Sequence, residues 1–113
     1  MGFGPGTTPA GDDWLSGYLT AADLIAGGPG KGAPPVRAGV RGSLTRTGAA
    51  GRALLEGALE GAPPAYLVDL ALAAADRGPG APGRLERAVD GALGHGATSG
   101  EDALAGFMAG LET

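Results

Sequence analysis

The sequence predicts an all-α fold of about five helices joined by Gly/Pro-rich loops. Leu, Ala and Val recur at helical spacing in five separate stretches, and no stretch alternates with the period of two expected of a half-buried strand. Between them lie clusters such as GGPGKGAPP and GPGAPG, which punctuate rather than continue a helix.

The first helix begins at Asp12 and carries Trp14, Leu15, Tyr18, Leu19, Ala22 and Ile25 at helical spacing. Gly27-Gly28-Pro29-Gly30 ends it, and GGPGKGAPP reads as a flexible surface linker. A second helix is predicted from about Ser43 to Glu60, with Leu54, Leu55, Ala58 and Leu59 on one face. Gly48, Gly51 and Gly57 each weaken it by up to ~1 kcal/mol relative to Ala, most of all in its first half. Pro63-Pro64 stops that segment and suits the first turn of the next, where Tyr66, Leu67, Leu70, Ala71 and Ala74 form an apolar stripe. Leu85, Ala88, Val89, Ala92 and Leu93 make a fourth helix, broken at Gly94 and Gly96. The fifth runs from about Gly100 to Leu111 and carries Leu104, Phe107, Met108 and Leu111.

Twenty-four Gly and nine Pro would suit a disordered chain. The rest of the composition opposes that: 43% hydrophobic, 18% charged and a net charge of −4 are the reverse of a disordered profile. Residues 1–113 are therefore expected to form a single helical domain. With aromatics only at Phe3, Trp14, Tyr18, Tyr66 and Phe107, the core must be built from Leu, Ala and Val and will be thin. Such a chain is expected to be part of a larger domain or to lean on a partner. The lack of cysteine excludes disulfides and thiolate metal sites. No apolar run approaches the ~20 residues that cross a bilayer, and no signal-peptide pattern opens the chain, so a cytoplasmic protein without a membrane role is expected. The eight basic residues form no dense block, which argues against nucleic acid as a partner.

A short repeat stands out. Setting GDDWLSGYL (Gly11 to Leu19) over GEDALAGFM (Gly100 to Met108) gives identity at Gly, Asp, Leu and Gly. Asp12 then matches Glu101, and Tyr18 matches Phe107. Each unit has a small polar lead-in (Thr7 and Thr8 in one, Thr98 and Ser99 in the other), then Gly, two acids and an apolar helix. Acids in a first turn offset the positive end of the helix dipole, and one of them can cap a free N–H, so capping explains any single acid here. Two adjacent acids point about 100° apart and cannot share one local task. Gly-Pro-Gly before Thr-Thr also exposes backbone N–H groups that suit an anion. If the two helix starts converge, their carboxylates and N–H groups could hold Mg²⁺ together with a phosphate, since Mg²⁺ combines one or two carboxylates with waters and substrate phosphate. Arg46, between two threonines, could clamp a phosphate or carboxylate, or stand solvated on the surface. His95, the only histidine, reads as a loop residue whose pKa range would also suit acid–base work.

GFGPGTTPAGDD resembles the motif G-L-G-P-G-L-T-P-S-G-D-D of a bacterial family that includes the AllH subunit of oxamate carbamoyltransferase. Thr45-Arg46, LLEGALEGAPP and the closing SGEDALAGFMAGL are similar to further parts of that family, so the resemblance reaches nearly the whole chain. Phe3, Thr7 and Ala10 depart from the motif, and Ala97 stands where the family is expected to carry a His, with His95 displaced upstream. Family members are longer, and the resemblance implies that this chain is their C-terminal half.

The resemblance also implies a function: a non-autonomous subunit that moves a carbamoyl group between oxamate, as oxalurate, and phosphate, in nitrogen salvage from allantoin. Its partners would be other subunits of the enzyme and a small-molecule anion. Gly4, Gly6, Thr7, Thr8, Arg46, Ser99 and Gly100 are the candidate anion-binding residues. Asp12, Asp13 and Asp102 are the candidate catalytic acids, holding Mg²⁺ or orienting the substrate amine. Two other functions fit the same residues: a non-catalytic helical assembly subunit, and a Mg²⁺-dependent hydrolase built on paired acidic helix starts.

Overall fold

The computed structural model describes residues 10–94 and 99–112. Among them are six α-helices and no strand: α1 (Ala10–Ala26), α2 (Pro34–Ser43), α3 (Ala49–Leu59), α4 (Ala65–Ala75), α5 (Ala81–Leu93) and α6 (Ser99–Gly110). No helix among these residues is long and apolar enough to cross a membrane.

The predicted helix from Ser43 to Glu60 is instead the last residue of α2, a 3₁₀ turn, a break and α3. Pro34-Pro35 opens α2 inside the stretch read as linker, because proline at the first helical positions forfeits no hydrogen bond. A single 3₁₀ turn, Leu44–Arg46, follows, and then Thr47 and Gly48 are both extended. The apolar spacing of α3 hides that break, since a pattern read backwards from Leu54 and Leu55 carries no mark of where the helix starts.

α1 lies at the centre and must satisfy neighbours on several sides. Leu19 joins Val40 of α2 and Leu55, Ala58 and Leu59 of α3 in one apolar cluster. Ala21 joins Leu67 and Leu70 of α4 and Ala103 and Phe107 of α6 in the other, with Ala88 and Val89 of α5 against it. The same helix also buries Asp12, Asp13, Ser16, Thr20 and Asp23. Asp12, Ser16, Leu19 and Asp23 fall on one stripe at about 100° per residue, so a polar line runs beneath the apolar contacts with α3.

The lower end of that line anchors the Gly-rich loop. Gly30 and Gly32 donate their backbone N–H groups to the two oxygens of Asp23, at 3.0 and 2.8 Å. Arg37 of α2 pairs with Asp23 and donates to the carbonyls of Gly32 (2.6 Å) and of Leu59, at the end of α3 (2.7 Å). The stretch expected to be a flexible linker is thus a loop with defined hydrogen bonds, and Gly32 is buried against the Ala22 carbonyl. Charge in the interior is tolerated only when paired and hydrogen-bonded, and both partners here are.

α1 and α6 touch backbone to backbone. A Cβ on Gly106 would lie 1.8 Å from the Trp14 carbonyl oxygen, and one on Gly17 would lie 1.9 Å from that of Ala103. Gly110 approaches the Tyr18 carbonyl and the Ala21 methyl in the same way. Contact positions rise together along the two helices, so they run parallel. Gly106→Ala should therefore destabilise the fold by about 1–3 kcal/mol through overpacking, despite alanine's higher helix propensity. Gly42→Ala, which meets open space, should gain up to ~1 kcal/mol. Arg37→Ala, which strands Asp23, should cost about 3–5 kcal/mol. Urea unfolding of the three variants checks all of these, and an unchanged midpoint for Gly106→Ala would refute the close crossing.

Candidate functional site

The parallel α1/α6 pair is where the sequence repeat becomes geometry. In the alignment of GDDWLSGYL with GEDALAGFM, Gly17 corresponds to Gly106 and Trp14 to Ala103. Gly17 rests on the carbonyl of Ala103, and Gly106 rests on the carbonyl of Trp14. The two contacts exchange under a local two-fold axis parallel to the helices. Both acidic first turns, with Asp12 and Asp13 in one and Glu101 and Asp102 in the other, consequently lie at the same end of the pair.

The acids at that end have separate surroundings. Asp12 is buried and accepts a hydrogen bond from Thr47 Oγ1 at 2.6 Å. Gly51 makes this possible: a Cβ there would sit 2.2 Å from Asp12 Oδ2 and 2.4 Å from Thr47 Oγ1. The break after the 3₁₀ turn is what brings Thr47 to Asp12. Asp13, equally buried, faces α4, where its charge acts on the half-buried Tyr66 phenol. Burial first, and the Asp13 charge second, raise the Tyr66 pKa above its ordinary value, so the phenol stays a neutral donor well into alkaline solution.

Asp102 is related to Asp13 by the two-fold, and a two-fold along the helix axes sends equivalent side chains to opposite flanks. Packing agrees: Leu104, two positions on and so on the far side of α6 from Asp102, joins the cluster with α4 and α5. Asp102 Oδ2 is buried without a hydrogen-bond partner among the described residues, and so is the hydroxyl of the fully buried Ser16. An unsatisfied buried oxygen of this kind costs about 1–3 kcal/mol and calls for a donor. On the Asp102 side, Trp14 and Tyr18 of α1 stack with ring centroids 5.2 Å apart.

Of the candidate anion-binding residues, Ser99 and Gly100 open α6 at the shared end. Arg46 is exposed in the 3₁₀ turn, one residue before Thr47, and no hydrogen bond or ion pair engages it among the described residues. Gly4, Gly6, Thr7, Thr8 and His95 lie outside the described residues. The structure thus brings the two acidic helix starts to one end but sets Asp13 and Asp102 on opposite flanks. Among the described residues no three His, Asp or Glu side chains are grouped to hold a metal ion. Sequence reasoning missed Thr47, Tyr66 and Ser16. Thr47 had a signal in its place beside Arg46, and Tyr66 in its place just inside a helix after Pro63-Pro64; Ser16 had none.

Tyr66 offers a direct check on this arrangement. In a Tyr18→Phe background, absorbance titration should show phenolate forming above the usual tyrosine range. Asp13→Asn should bring it part of the way back, because burial is the larger cause. No movement on removing the Asp13 charge would place that carboxylate elsewhere.

Among curated proteins and among solved structures, none matches this chain. The family described as oxamate carbamoyltransferase subunit AllH matches it over residues 1–111, with both acidic helix starts inside the match. The chain therefore belongs to the AllH family.

Proposed function

We propose that the chain serves as one subunit of a carbamoyltransferase that moves a carbamoyl group between oxalurate and phosphate, giving oxamate and carbamoyl phosphate, in allantoin-derived nitrogen salvage. Family membership supports the reaction, and the name of the family, a subunit, supports a multi-subunit enzyme. The observation that carries the site is the parallel α1/α6 pair. Two helix starts side by side offer two sets of unpaired N–H groups and two positive dipole ends to one anion.

In the forward direction a phosphate oxygen attacks the ureido carbonyl carbon of oxalurate. An oxyanion forms on the carbonyl oxygen, and the bond to the oxamate nitrogen breaks as that nitrogen takes up a proton. Little covalent chemistry is asked of the protein; stabilising charge on phosphate and oxyanion is the main task. In this reading Ser99, Gly100 and Arg46, with Gly4, Gly6, Thr7 and Thr8, bind the anion. Asp102 accepts a hydrogen bond from the substrate's amide nitrogen, while Asp13, turned to the α4 flank beside Tyr66, and Asp12, held by Thr47, fix the first turn of α1.

Mg²⁺ fits this donor set if it takes one carboxylate, with substrate phosphate and waters completing its shell. Asp102, only partly buried at the start of α6, would be the carboxylate to hold it. When bound, the ion would neutralise charge on the phosphate. A non-catalytic assembly role is the competing reading, favoured by one observation: Asp12 is already committed to packing through Thr47.

Calorimetric titration of carbamoyl phosphate, with and without Mg²⁺, separates the two. Saturable heat that weakens at least tenfold in Asp102→Asn and in Arg46→Ala is the expected result. A folded chain that binds neither carbamoyl phosphate nor inorganic phosphate would leave the acids with capping and packing roles.

A further inference from the structure

The end of the molecule where α1 and α6 begin is also where α3 begins. Asp12, in the first turn of α1, meets Thr47 and Gly51, while Leu19, two turns on, clusters with Leu55, Ala58 and Leu59. α3 therefore runs in the same direction as α1. Arg46 stands at this end, one residue before the hydroxyl that bonds Asp12.

The partner that Asp12 takes is informative. Its carboxylate is buried and accepts from a neutral hydroxyl, although an arginine lies next in the chain. From Leu24 to Leu55 the sequence has Lys31, Arg37, Arg41, Arg46 and Arg52 and no Asp or Glu. Arg46 is left exposed, with no ion pair among the described residues, in a chain of net charge −4. Arg52 brings a second positive charge to the same turn, its Nε donating to the Leu44 carbonyl at 3.3 Å. The turn itself is held from three sides. Leu44 packs against the Leu19 cluster, its carbonyl accepts from Arg52 and from the Thr47 N–H (3.5 Å), and the Thr47 hydroxyl is fixed on Asp12 at 2.6 Å.

We propose that Thr47 is a positioning residue: held by Asp12, it fixes the Leu44–Arg46 turn and keeps the Arg46 guanidinium free for an oxyanion from outside the chain. A hydroxyl has one proton to donate, and Thr47 commits its own to Asp12, so it acts on the anion through Arg46. Gly51 belongs to the device, because a Cβ there would sit 2.2 Å from Asp12 Oδ2 and 2.4 Å from Thr47 Oγ1 and drive them apart. Had Asp12 paired with Arg46 instead, the fork that recognises a phosphate or carboxylate would already be filled. Fixing the turn beforehand lowers the ordering cost of binding. This inference rests on reading Arg46 as an anion-binding residue of the carbamoyltransferase, and it gives the Asp12–Thr47 contact a role in that site.

Two measurements on the full chain separate the turn from the anion. In phosphate-free protein, ¹⁵N relaxation should give the Arg46 amide an order parameter of about 0.85, and Thr47→Val should lower it below ~0.6. Thr47 is extended, so Val fits the same backbone, and Thr47→Ser, which keeps the donor, should leave the turn ordered. In titrations with inorganic phosphate, Thr47→Val and Gly51→Ala should each bind about tenfold more weakly and Thr47→Ser like the parent. In an Arg46→Ala background Thr47→Val should cause no further loss, since two changes acting through one residue are not additive. Thermal melts by circular dichroism confirm that each variant is folded, and Thr47→Ala carries the test if Thr47→Val is not. A turn that stays ordered in Thr47→Val, or an equal loss of affinity with and without Arg46, would overturn the proposal. Binding lost in Arg46→Ala but kept in Thr47→Val would refute the positioning alone and leave Arg46 in the site. Phosphate binding that Arg46→Ala leaves intact, or a parent that binds no phosphate, would remove Arg46 from the site and the proposal with it.

Discussion

Everything in this molecule is arranged around one contact, the crossing of α1 and α6 where glycines rest on carbonyl oxygens. Two helices can come that close only where side chains are absent from the seam, and Gly17, Gly106 and Gly110 clear it. The approach fixes the direction of both helices and, through it, the end at which their acidic first turns meet. It also places α1 in the middle of the fold, with α3 on one side, α6 on another and α4 between.

Most of α1 faces neighbours rather than solvent, and the buried part of its sequence is not short of polar residues. Asp12 is answered by Thr47, Asp23 by Arg37 and two glycine N–H groups, and Thr20 by the Ser16 carbonyl, while the Ser16 hydroxyl has no partner among the described residues. Buried polar groups satisfied this way specify a unique arrangement more than they add stability. Here they decide which loop lies against which helix. Capping and function are not competing explanations of the Asp-Asp pair, because its two members turn to different partners.

How much of this could be read in advance depended on whether the signal was local. The helices with Leu and Ala at regular spacing, α1, α4, α5 and α6, were legible because periodicity is written in neighbouring residues. α2 was hidden by its own composition: Pro34-Pro35 and the glycines before it look like linker when nothing shows that Asp23 and Arg37 hold them. The Thr47-Gly48 break was masked by the apolar stripe that resumes after it. At the candidate site the repeat of Gly11–Leu19 in Gly100–Met108 announced a relation between two helices, but not that they would be parallel or that Asp13 and Asp102 would part to opposite flanks. Thr47 and Tyr66 come from distant segments, and no short pattern joins them to Asp12 and Asp13.

The glycine seam also bears on how the fold is reached. Its halves stand at opposite ends of the described sequence, so the central contact closes a loop containing nearly every other element. The entropy of closing a loop grows only slowly with its length, but folds dominated by such distant contacts form slowly. During synthesis α1 can meet α2, α3 and α4 while its notch at Gly17 still faces water, and only the arrival of α6 fills it. Among the described helices α6 is made after the rest, and its arrival both closes the seam and sets the two acidic first turns side by side.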